Sequence, residues 1–250
     1  MHCGWIELDS TRVSWPQDMT EELDAIMLDA GGTLWEMKPS VSELFLRMLK
    51  KSGGRVSKER LRECIRKADR HFDDDFALLD GVHEEDFWKK YDRFVLKDLE
   101  LEIETQEFSK MLSTEYRRVV SKVDSWVAYS DAHPFLKDLS KRDMKVGLVS
   151  NATELARRVL KNLEMDKYFD FVVLSAEVGA RKPNKRIFTI AAKEAGASPS
   201  RCLFLGDKLA VDIKGASNAG MNAVLIDREN VHPDARCIRV RNLSSVARFL

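Results

Sequence analysis

The stretch from Asp24 to Leu34, DAIMLDAGGTL, constrains this chain more than any other. Four apolar residues lead directly into Asp29, and a short apolar run of this kind is typical of a buried strand in a parallel sheet. Ligands of open α/β sheets bind at the carboxyl ends of the strands, which is where Asp29 falls. The glycines that follow, Gly31 and Gly32, allow a sharp turn and a close approach of the backbone to a ligand. A strand that ends in an ordinary Asp-Gly turn explains the same residues, so the rest of the chain decides between the two.

The later part of the chain alternates between apolar runs and amphipathic stretches. The apolar runs predict strands at 145–149, 171–174, 202–205 and 223–226, with a further short strand at 238–240. Apolar residues at helical spacing predict helices at 130–141, 155–163, 187–196 and 211–219. Strands that alternate with helices are typical of a parallel, doubly wound sheet, and the strand before Asp29 belongs with them. The sequence therefore predicts an α/β fold with a Rossmann-like core.

A purely helical block separates the first predicted strand from the others. Helical spacing predicts helices at 41–50, 57–79, 83–99 and 104–120. We expect an all-α cap domain at 40–124, inserted over the strand ends of an α/β core that is formed by 21–39 and 125–250. Residues 35–39 fit a short loop or a hairpin, and residues 1–20 fit a poorly structured N-terminal extension.

The composition argues against several classes of function. Lys+Arg and Asp+Glu both number 41, so the zero net charge does not favour a nucleic-acid-binding surface. The four cysteines are far apart and form no CxxC pair, which argues against a zinc site and a disulfide framework. No apolar run reaches the length of a membrane span, and the N-terminus lacks the basic and apolar regions of a secretory signal. We expect a cytoplasmic protein without nucleic-acid or membrane partners, and the sequence specifies no oligomeric state.

Polar residues suited to catalysis follow four of the predicted strands. Asp29 follows the first, Ser150 and Asn151 the second, Lys182 the third and Asp207 the fourth. Because strand ends in such a sheet share one crevice, we expect these side chains to converge. Ordinary explanations exist for each of them, such as a helix N-terminal carboxylate for Asp207, a helix cap for Ser150 and a solvated loop for Lys182. Their coincidence at strand ends favours a common site.

Carboxylates, a lysine and a hydroxyl at one sheet edge fit the chemistry of phosphoryl transfer. Carboxylates hold Mg²⁺, a hard cation that is usually bound through one or two carboxylates plus substrate phosphate. Lysine and Mg²⁺ neutralise the oxygens of a transferring phosphoryl group, and a serine hydroxyl adds a hydrogen-bond donor. An aspartate such as Asp29 can attack phosphorus and form an aspartyl-phosphate, which water hydrolyses. Asp212 supplies one more carboxylate, although it is also explained as an ordinary surface residue.

In these residues the chain resembles the haloacid dehalogenase-like (HAD) hydrolase superfamily. The resemblance covers residues 25 to about 226, with the helical block inserted after the first motif. The four motifs stand in order as Asp29-Ala30-Gly31-Gly32-Thr33 for DxDxT, the strand that ends in Ser150-Asn151, Lys182-Pro183, and Gly206-Asp207 to Asp212 for GDxxxxD. Each motif alone is weak, whereas four motifs in order at strand ends are a specific signature.

The resemblance implies a Mg²⁺-dependent phosphatase that acts on a small phosphorylated metabolite. Asp29 would be the nucleophile and a Mg²⁺ ligand. The main-chain carbonyl of Gly31 would be a second ligand, and Asp207 a third. Asp212 would be either a ligand or a partner of the bound groups through water or Lys182.

The same resemblance implies a set of residues around the substrate. Ser150 and Lys182 would hold the phosphoryl group. Thr33 would brace the loop that follows the nucleophile, and Asn151 would contact the substrate.

The chain departs from the family pattern at Gly31. Phosphatases of the superfamily usually carry a second aspartate there, whose acid–base chemistry is worth about 10²–10⁴ in rate. Two alternatives therefore stay open: a HAD-fold protein with little catalysis that serves as a binding or regulatory module, and a dehalogenase-like hydrolase of carbon–halogen bonds. Asp207 and Asp212 favour the metal-dependent branch, since dehalogenases of the superfamily do not use Mg²⁺.

Overall fold

The protein is represented by a computed structural model that describes residues 23–79, 84–247 and 250. The predicted N-terminal extension, residues 1–20, lies outside these ranges, as does the predicted helix start at His83. The chain divides into two compact units, one formed by the residues up to Glu36 together with Ala128–Leu250, and the other by Met37–Val127. The predicted domain boundaries at residues 20, 40 and 124 stay predictions. None of the helices within the described ranges combines the length and the apolar character needed to cross a bilayer.

The strands of the described residues form two sheets. In chain order they are β1 (Ala25–Leu28), β2 (Trp35–Met37), β3 (Trp126–Ala128), β4 (Lys145–Ser150), β5 (Phe171–Leu174), β6 (Cys202–Gly206), β7 (Asn222–Ile226) and β8 (Arg239–Val240). The larger sheet has six strands, all parallel, in the order β5-β4-β1-β6-β7-β8. The chain thus winds outward from β1 in both directions, and the predicted α/β fold with a doubly wound parallel sheet is confirmed.

Helices connect the strands and build the second unit. In chain order they are α1 (Val41–Lys51), α2 (Lys58–His71), α3 (Asp73–Phe76), α4 (Glu84–Asp98), α5 (Thr105–Val120), α6 (Ala132–Leu139), α7 (Leu155–Asn162), α8 (Ser175–Val178), α9 (Lys185–Ala195), α10 (Lys214–Asn218) and α11 (Leu243–Ala247).

The central strands of the large sheet are apolar along their whole length because they are covered on both faces. Every residue of β1 and of β6 is buried. Helix α9 packs Ile187 and Phe188 into the same apolar cluster, where the ring of Phe188 lies 5.1 Å from that of Phe204. This packing fixes the sheet rigidly under its carboxyl edge, where the polar residues follow.

The helical unit, 37–127, has an apolar core of its own. Helices α1, α2, α4 and α5 supply Leu44, Phe45, Leu61, Val95 and Phe108, all nearly or fully buried. Side chains begin three of these helices: Ser40 forms a capping box with Glu43, and Ser57 and Glu104 accept hydrogen bonds from the first turns of α2 and α5. The apolar residues at helical spacing thus correctly predict that these segments are helices.

Three local predictions were wrong. The second helix does not reach residue 79, because Phe72 turns into the core against Phe87 and Phe94, and α2 ends at His71. Residues 35–39 do not form a hairpin, since β2 pairs with the distant β3. The helix predicted at 211–219 begins instead as a π-helical turn over Leu209–Ile213, before α10.

Candidate active site

The register of the sheet brings the predicted site residues level with one another. Leu28 at the end of β1 pairs with Leu148 of β4 and with Leu205 of β6. The next residue, Asp29, is held to β6 by its N–H, which donates to the carbonyl of Leu205 at 2.9 Å. The loops after β1, β4 and β6 therefore leave the same edge of the sheet within about two residues of one another, as expected for a doubly wound fold.

A buried lysine joins two of the aspartates. Lys182 is 3% exposed, and its Nζ lies 2.5 Å from Oδ1 of Asp29 and 2.7 Å from Oδ1 of Asp212. The ammonium also lies 5.3 Å from the ring centroid of Phe204, within the range of a cation–π contact. Lys182 thus meets residues that are 153 and 30 positions away in sequence at one charged centre.

Asp207 completes the acidic cluster. Asp29, Asp207 and Asp212 each present a carboxylate oxygen within 4.8 Å of the others. Asp207 is half-buried and packs against the backbone of Gly32, where an added Cβ would collide with its carboxylate. Gly32 has φ of 80°, a left-handed conformation that L side chains rarely adopt, so both its φ and its contact with Asp207 require glycine.

Asp212 is held on both of its carboxylate oxygens. Oδ1 contacts Lys182, and Oδ2 accepts a hydrogen bond from the N–H of Lys208 at 3.0 Å. An added Cβ at Gly206 would meet Asp212 at 2.5 Å, so the carboxylate lies directly against the end of β6. The π-helical turn over Leu209–Ile213 places Asp212 there, and such turns occur frequently at functional sites. Asp212 thus contacts the ammonium group of Lys182, and its predicted binding of a metal ion stays a prediction.

Burial and crowding shift the pKa values of the cluster. Burial raises the pKa of Asp207 to about 8, with Asp212 and Asp29 adding to the shift and Lys208 opposing it. Burial likewise raises the pKa of Asp212, against the opposing charge of Lys182. For Lys182, burial acts to lower the pKa, but Asp212 and Asp29 outweigh it and raise the value to about 12. The lysine is therefore charged, and the site holds more acidic groups than it has bases to neutralise.

The oxygen donors of this cluster fit a hard divalent cation. Three carboxylates lie close together, and one of them, Asp207, is costly to ionise without a further positive charge nearby. Carboxylates are ligands that Mg²⁺ prefers, in contrast to the imidazole and thiolate ligands of zinc. The arrangement can thus combine a carboxylate nucleophile, a cation site and a lysine at one point.

Asn151 binds the loop that carries the lysine. Its Nδ2 donates to the carbonyl of Lys182 at 2.9 Å, and its Oδ1 accepts from the N–H of Lys182 at 2.7 Å. The amide thereby clamps the main chain of Lys182, which is a positioning role. Its predicted contact with substrate stays a prediction.

The remaining predicted residues lie near the cluster in different environments. Ser150 ends β4 and is 6% exposed. Gly31 is half-buried and forms a bridge with Trp35. Thr33 is fully buried, and its hydroxyl has no hydrogen-bond partner within the described part of the chain. Its predicted bracing of the loop stays a prediction.

Sequence reasoning missed Arg228. This residue follows β7 and donates to the carbonyls of Gly32 and Thr33, so it reaches the loop after Asp29. Its position just beyond the carboxyl end of a predicted strand matches that of the other site residues. That placement was the available signal, but no motif drew attention to it.

Comparisons with known proteins agree with this geometry. A family model of haloacid dehalogenase-like hydrolases matches residues 23–220. A glyceraldehyde 3-phosphate phosphatase of Methanothermobacter thermautotrophicus is 41% identical over 95 residues, which are 38% of this chain and 42% of that protein. Phosphatase MT3486 of Mycobacterium tuberculosis is 33% identical over 162 residues, which are 59% of this chain and 73% of that protein. The match thus spans less than half of the length of the archaeal relative.

A solved structure shows the same fold. A HAD phosphatase from Thermococcus onnurineus aligns with a TM-score of 0.58 and 23% sequence identity, over 91% of this chain and 97% of that chain. At this level of identity the likeness concerns the fold alone.

Proposed function

We propose that this chain, which belongs to the haloacid dehalogenase-like hydrolase family, is a Mg²⁺-dependent phosphatase that acts on a small phosphorylated metabolite. The observation that carries the proposal is the cluster of Asp29, Lys182, Asp207 and Asp212 at the carboxyl edge of the sheet, in which all but the half-buried Asp207 are buried. The names of both relatives support a phosphatase, and the name of the glyceraldehyde 3-phosphate phosphatase supports a small phosphorylated substrate. The buried, unpaired cysteines at 64, 202 and 237 suit a reducing compartment such as the cytoplasm.

Asp29, the Gly31 carbonyl and Asp207 would hold the cation. When bound, Mg²⁺ supplies positive charge to the phosphoryl oxygens and screens the carboxylates from one another. Asp212 keeps the ammonium of Lys182 in place, and Lys182 adds a second positive charge toward the phosphoryl group. Ser150, at the end of β4, is proposed to donate a hydrogen bond to the same group.

Asp29 is the proposed nucleophile. A carboxylate oxygen of Asp29 forms a bond to phosphorus while the bond between phosphorus and the ester oxygen breaks, which leaves an aspartyl-phosphate and an alkoxide. A water molecule then attacks phosphorus, the bond between phosphorus and the Asp29 oxygen breaks, and inorganic phosphate leaves. After the two steps Asp29 is again a free carboxylate, so the chain is unchanged at the end of a cycle.

Gly31 determines how the leaving group is protonated. Because glycine offers no acidic side chain, the alkoxide takes its proton from solvent. Aryl phosphates, whose leaving groups need little protonation, are therefore expected to react faster than alkyl phosphates. The substitution Gly31→Asp is expected to raise turnover of alkyl phosphates by about 10²-fold and to flatten this dependence on the leaving group. An equal effect of Gly31→Asp on aryl and alkyl esters contradicts this part of the proposal.

The test is a phosphate-release screen over a panel of sugar, amino-acid and nucleoside monophosphates, with Mg²⁺ and with EDTA. We expect release only with Mg²⁺ and a loss of at least about 10³-fold in Asp29→Asn. The matched control is Asp166→Asn, an exposed aspartate of the same unit, which should keep full activity.

The two open alternatives give different results in the same screen. A binding or regulatory protein binds Mg²⁺ and releases no phosphate from any ester, an outcome that the missing acid–base group at Gly31 favours. A dehalogenase-like hydrolase releases halide from 2-haloacids without a metal. Either result overturns the proposed phosphatase.

A further inference from the structure

We propose that Arg228 is a positioning residue, which fixes the loop at 29–33 so that the Gly31 carbonyl and Asp207 are held where the divalent cation binds. The inference rests on the proposed function for the identity of the cation. Arg228 follows β7, one residue after Asp227, and belongs to none of the four motifs. Its role is inferred from the contacts of its guanidinium group.

One edge of the guanidinium group faces the nucleophile loop. Nη2 of Arg228 donates to the carbonyl of Thr33 at 2.7 Å, and Nε donates to the carbonyl of Gly32 at 3.3 Å. Charge-assisted hydrogen bonds of this kind are stronger than those between neutral groups. Arg228, which follows a different strand, thus holds the loop after Asp29 through two successive carbonyls.

Other contacts of Arg228 anchor the guanidinium group. Nη1 and Nη2 each lie 3.0 Å from a carboxylate oxygen of Asp131, so the pair is bidentate. Asp131 also accepts from the N–H of Leu243 at 2.8 Å, and the Arg228 side chain stacks 3.8 Å over the ring of Tyr129. The side chains of Arg228 and Asp131 are only 16% and 11% exposed. Solvent therefore screens the pair little, and the planar fork has little freedom to move.

Arg228 contacts a segment whose backbone has unusual conformational freedom. Two consecutive glycines, Gly31 and Gly32, have more accessible backbone conformations than any other pair. The N–H of Gly32 donates to the carbonyl of Trp35 at 2.8 Å, which orients the peptide group that contains the Gly31 carbonyl. Arg228 fixes the following peptide group through the Gly32 carbonyl. Together these contacts hold both peptide planes beside the Cα against which Asp207 packs.

The experiment compares Arg228→Met with a matched control, Arg239→Met. Arg239 also lies near the end of the sheet and makes a similar set of bonds, to Asp227, Asn230 and the carbonyl of Pro233, but none to the loop at 29–33. Mg²⁺ alone is titrated into each metal-free protein by calorimetry. Hydrogen–deuterium exchange is followed in peptides that cover 29–35.

We expect Arg228→Met to bind Mg²⁺ roughly 10- to 100-fold more weakly than wild type, as for other residues that orient metal ligands. Exchange at 29–35 should become about tenfold faster because the loop opens more readily. Arg239→Met should change neither quantity. Unchanged Mg²⁺ affinity in Arg228→Met, an equal loss in Arg239→Met, or no binding of Mg²⁺ by wild type overturns the inference.

Arg228→Lys tests the same role of Arg228 if Arg228→Met does not fold. Lysine retains the charge but lacks the planar fork, so it cannot contact both carbonyls and Asp131 together. We expect an intermediate loss of Mg²⁺ affinity, and wild-type affinity in this variant shows that the geometry is irrelevant. In the active enzyme, Arg228→Met should raise the half-saturating Mg²⁺ concentration more than it lowers kcat. A wild type that binds Mg²⁺ but hydrolyses no ester removes the proposed phosphatase and leaves the role of Arg228 testable.

Discussion

The α/β unit buries Asp29 and Asp212 on either side of Lys182, whereas the helical unit buries Asp92 beside the hydroxyl of Ser109. Both units therefore bury carboxylates, but different groups offset the cost of removing the negative charge from water. In the first unit the ammonium group of Lys182 lies at hydrogen-bond distance from both carboxylates, and its charge opposes the rise that burial causes in the pKa of Asp212. In the second, burial raises the pKa of Asp92 to about 6, and the Ser109 hydroxyl only partly opposes that shift.

The difference follows from the architecture of each unit. Parallel strands end at one edge, so loops from distant parts of the chain can bring opposite charges together there. Helices α4 and α5 present side chains along their packed faces, and Asp92 lies among apolar neighbours of that core. A buried charge that is matched by a partner from another strand end indicates a site. A buried carboxylate whose partner among the described residues is a hydroxyl, as for Asp92, mainly costs stability.

The largest expected effect comes from removing the matching cation. Lys182→Met leaves Asp29 and Asp212 buried without their partner, which should destabilise the protein by about 3–5 kcal/mol in urea unfolding. Activity should fall at least about 10³-fold. The control is Lys145→Met, which breaks the exposed pair with Asp170 and should leave the free energy of unfolding nearly unchanged because solvent screens that pair. Similar losses in both variants contradict the distinction between the two kinds of pair.

The next effect concerns the isolated carboxylate of the helical unit. The folded pKa of Asp92, about 6, exceeds the ordinary value of 3.8, so the proton is bound more tightly in the folded state. The stabilising contribution is complete below pH 4 and is lost as the pH rises through about 6. A difference of about two pKa units corresponds to about 3 kcal/mol.

Asp92→Asn should therefore gain up to about 3 kcal/mol over wild type between pH 4 and pH 7, with no further change above pH 7. Denaturant unfolding at several pH values measures this gain. Asp86→Asn, an exposed aspartate of the same helix, serves as the control and should show no such gain. If the difference in unfolding free energy between Asp92→Asn and wild type does not vary with pH, the raised pKa of Asp92 is contradicted.

A smaller difference in stability is expected between alanine substitutions at two glycines with the same φ. Gly32 of the α/β unit and Gly53 of the helical unit both have φ of 80°, but an added Cβ meets Asp207 at Gly32 and nothing within 4 Å at Gly53. Gly53→Ala should cost about 1–2 kcal/mol for its backbone alone. Gly32→Ala should cost about 1–3 kcal/mol more and should weaken Mg²⁺ binding, because Asp207 has to move. Equal costs, measured by thermal unfolding together with Mg²⁺ titration, contradict the packing of Asp207 on Gly32.

The sequence predicts the sheet well because its strands are continuous apolar runs with clear ends. Predicted and observed strands agree at 171–174 and differ by one residue at 202–206 and 222–226. The identity of the clustered residues Asp29 and Asp207 was also accessible, since each directly follows a strand end. Lys182 was accessible through its motif, although the short helix α8 separates it from the end of β5. Features that depend on a tertiary contact were not accessible.

Two examples show what such contacts decide. The π-helical turn over Leu209–Ile213 places the Asp212 carboxylate against Lys182 and the N–H of Lys208, and no periodic pattern encodes these contacts. Arg228 lies 196 positions after Gly32, and the folded sheet brings its side chain to that loop. Local propensity specifies neither arrangement.

The most direct test of the account is ¹⁹F NMR of the protein with beryllium fluoride, a mimic of a phosphoryl group on aspartate, in the presence and absence of Mg²⁺. If Asp29 accepts a phosphoryl group beside a cation held by Asp207, bound fluoride signals should appear in wild type only with Mg²⁺. They should disappear in Asp29→Asn and weaken strongly in Asp207→Asn. Wild type without bound signals at saturating Mg²⁺, or Asp29→Asn with signals like those of wild type, would contradict it.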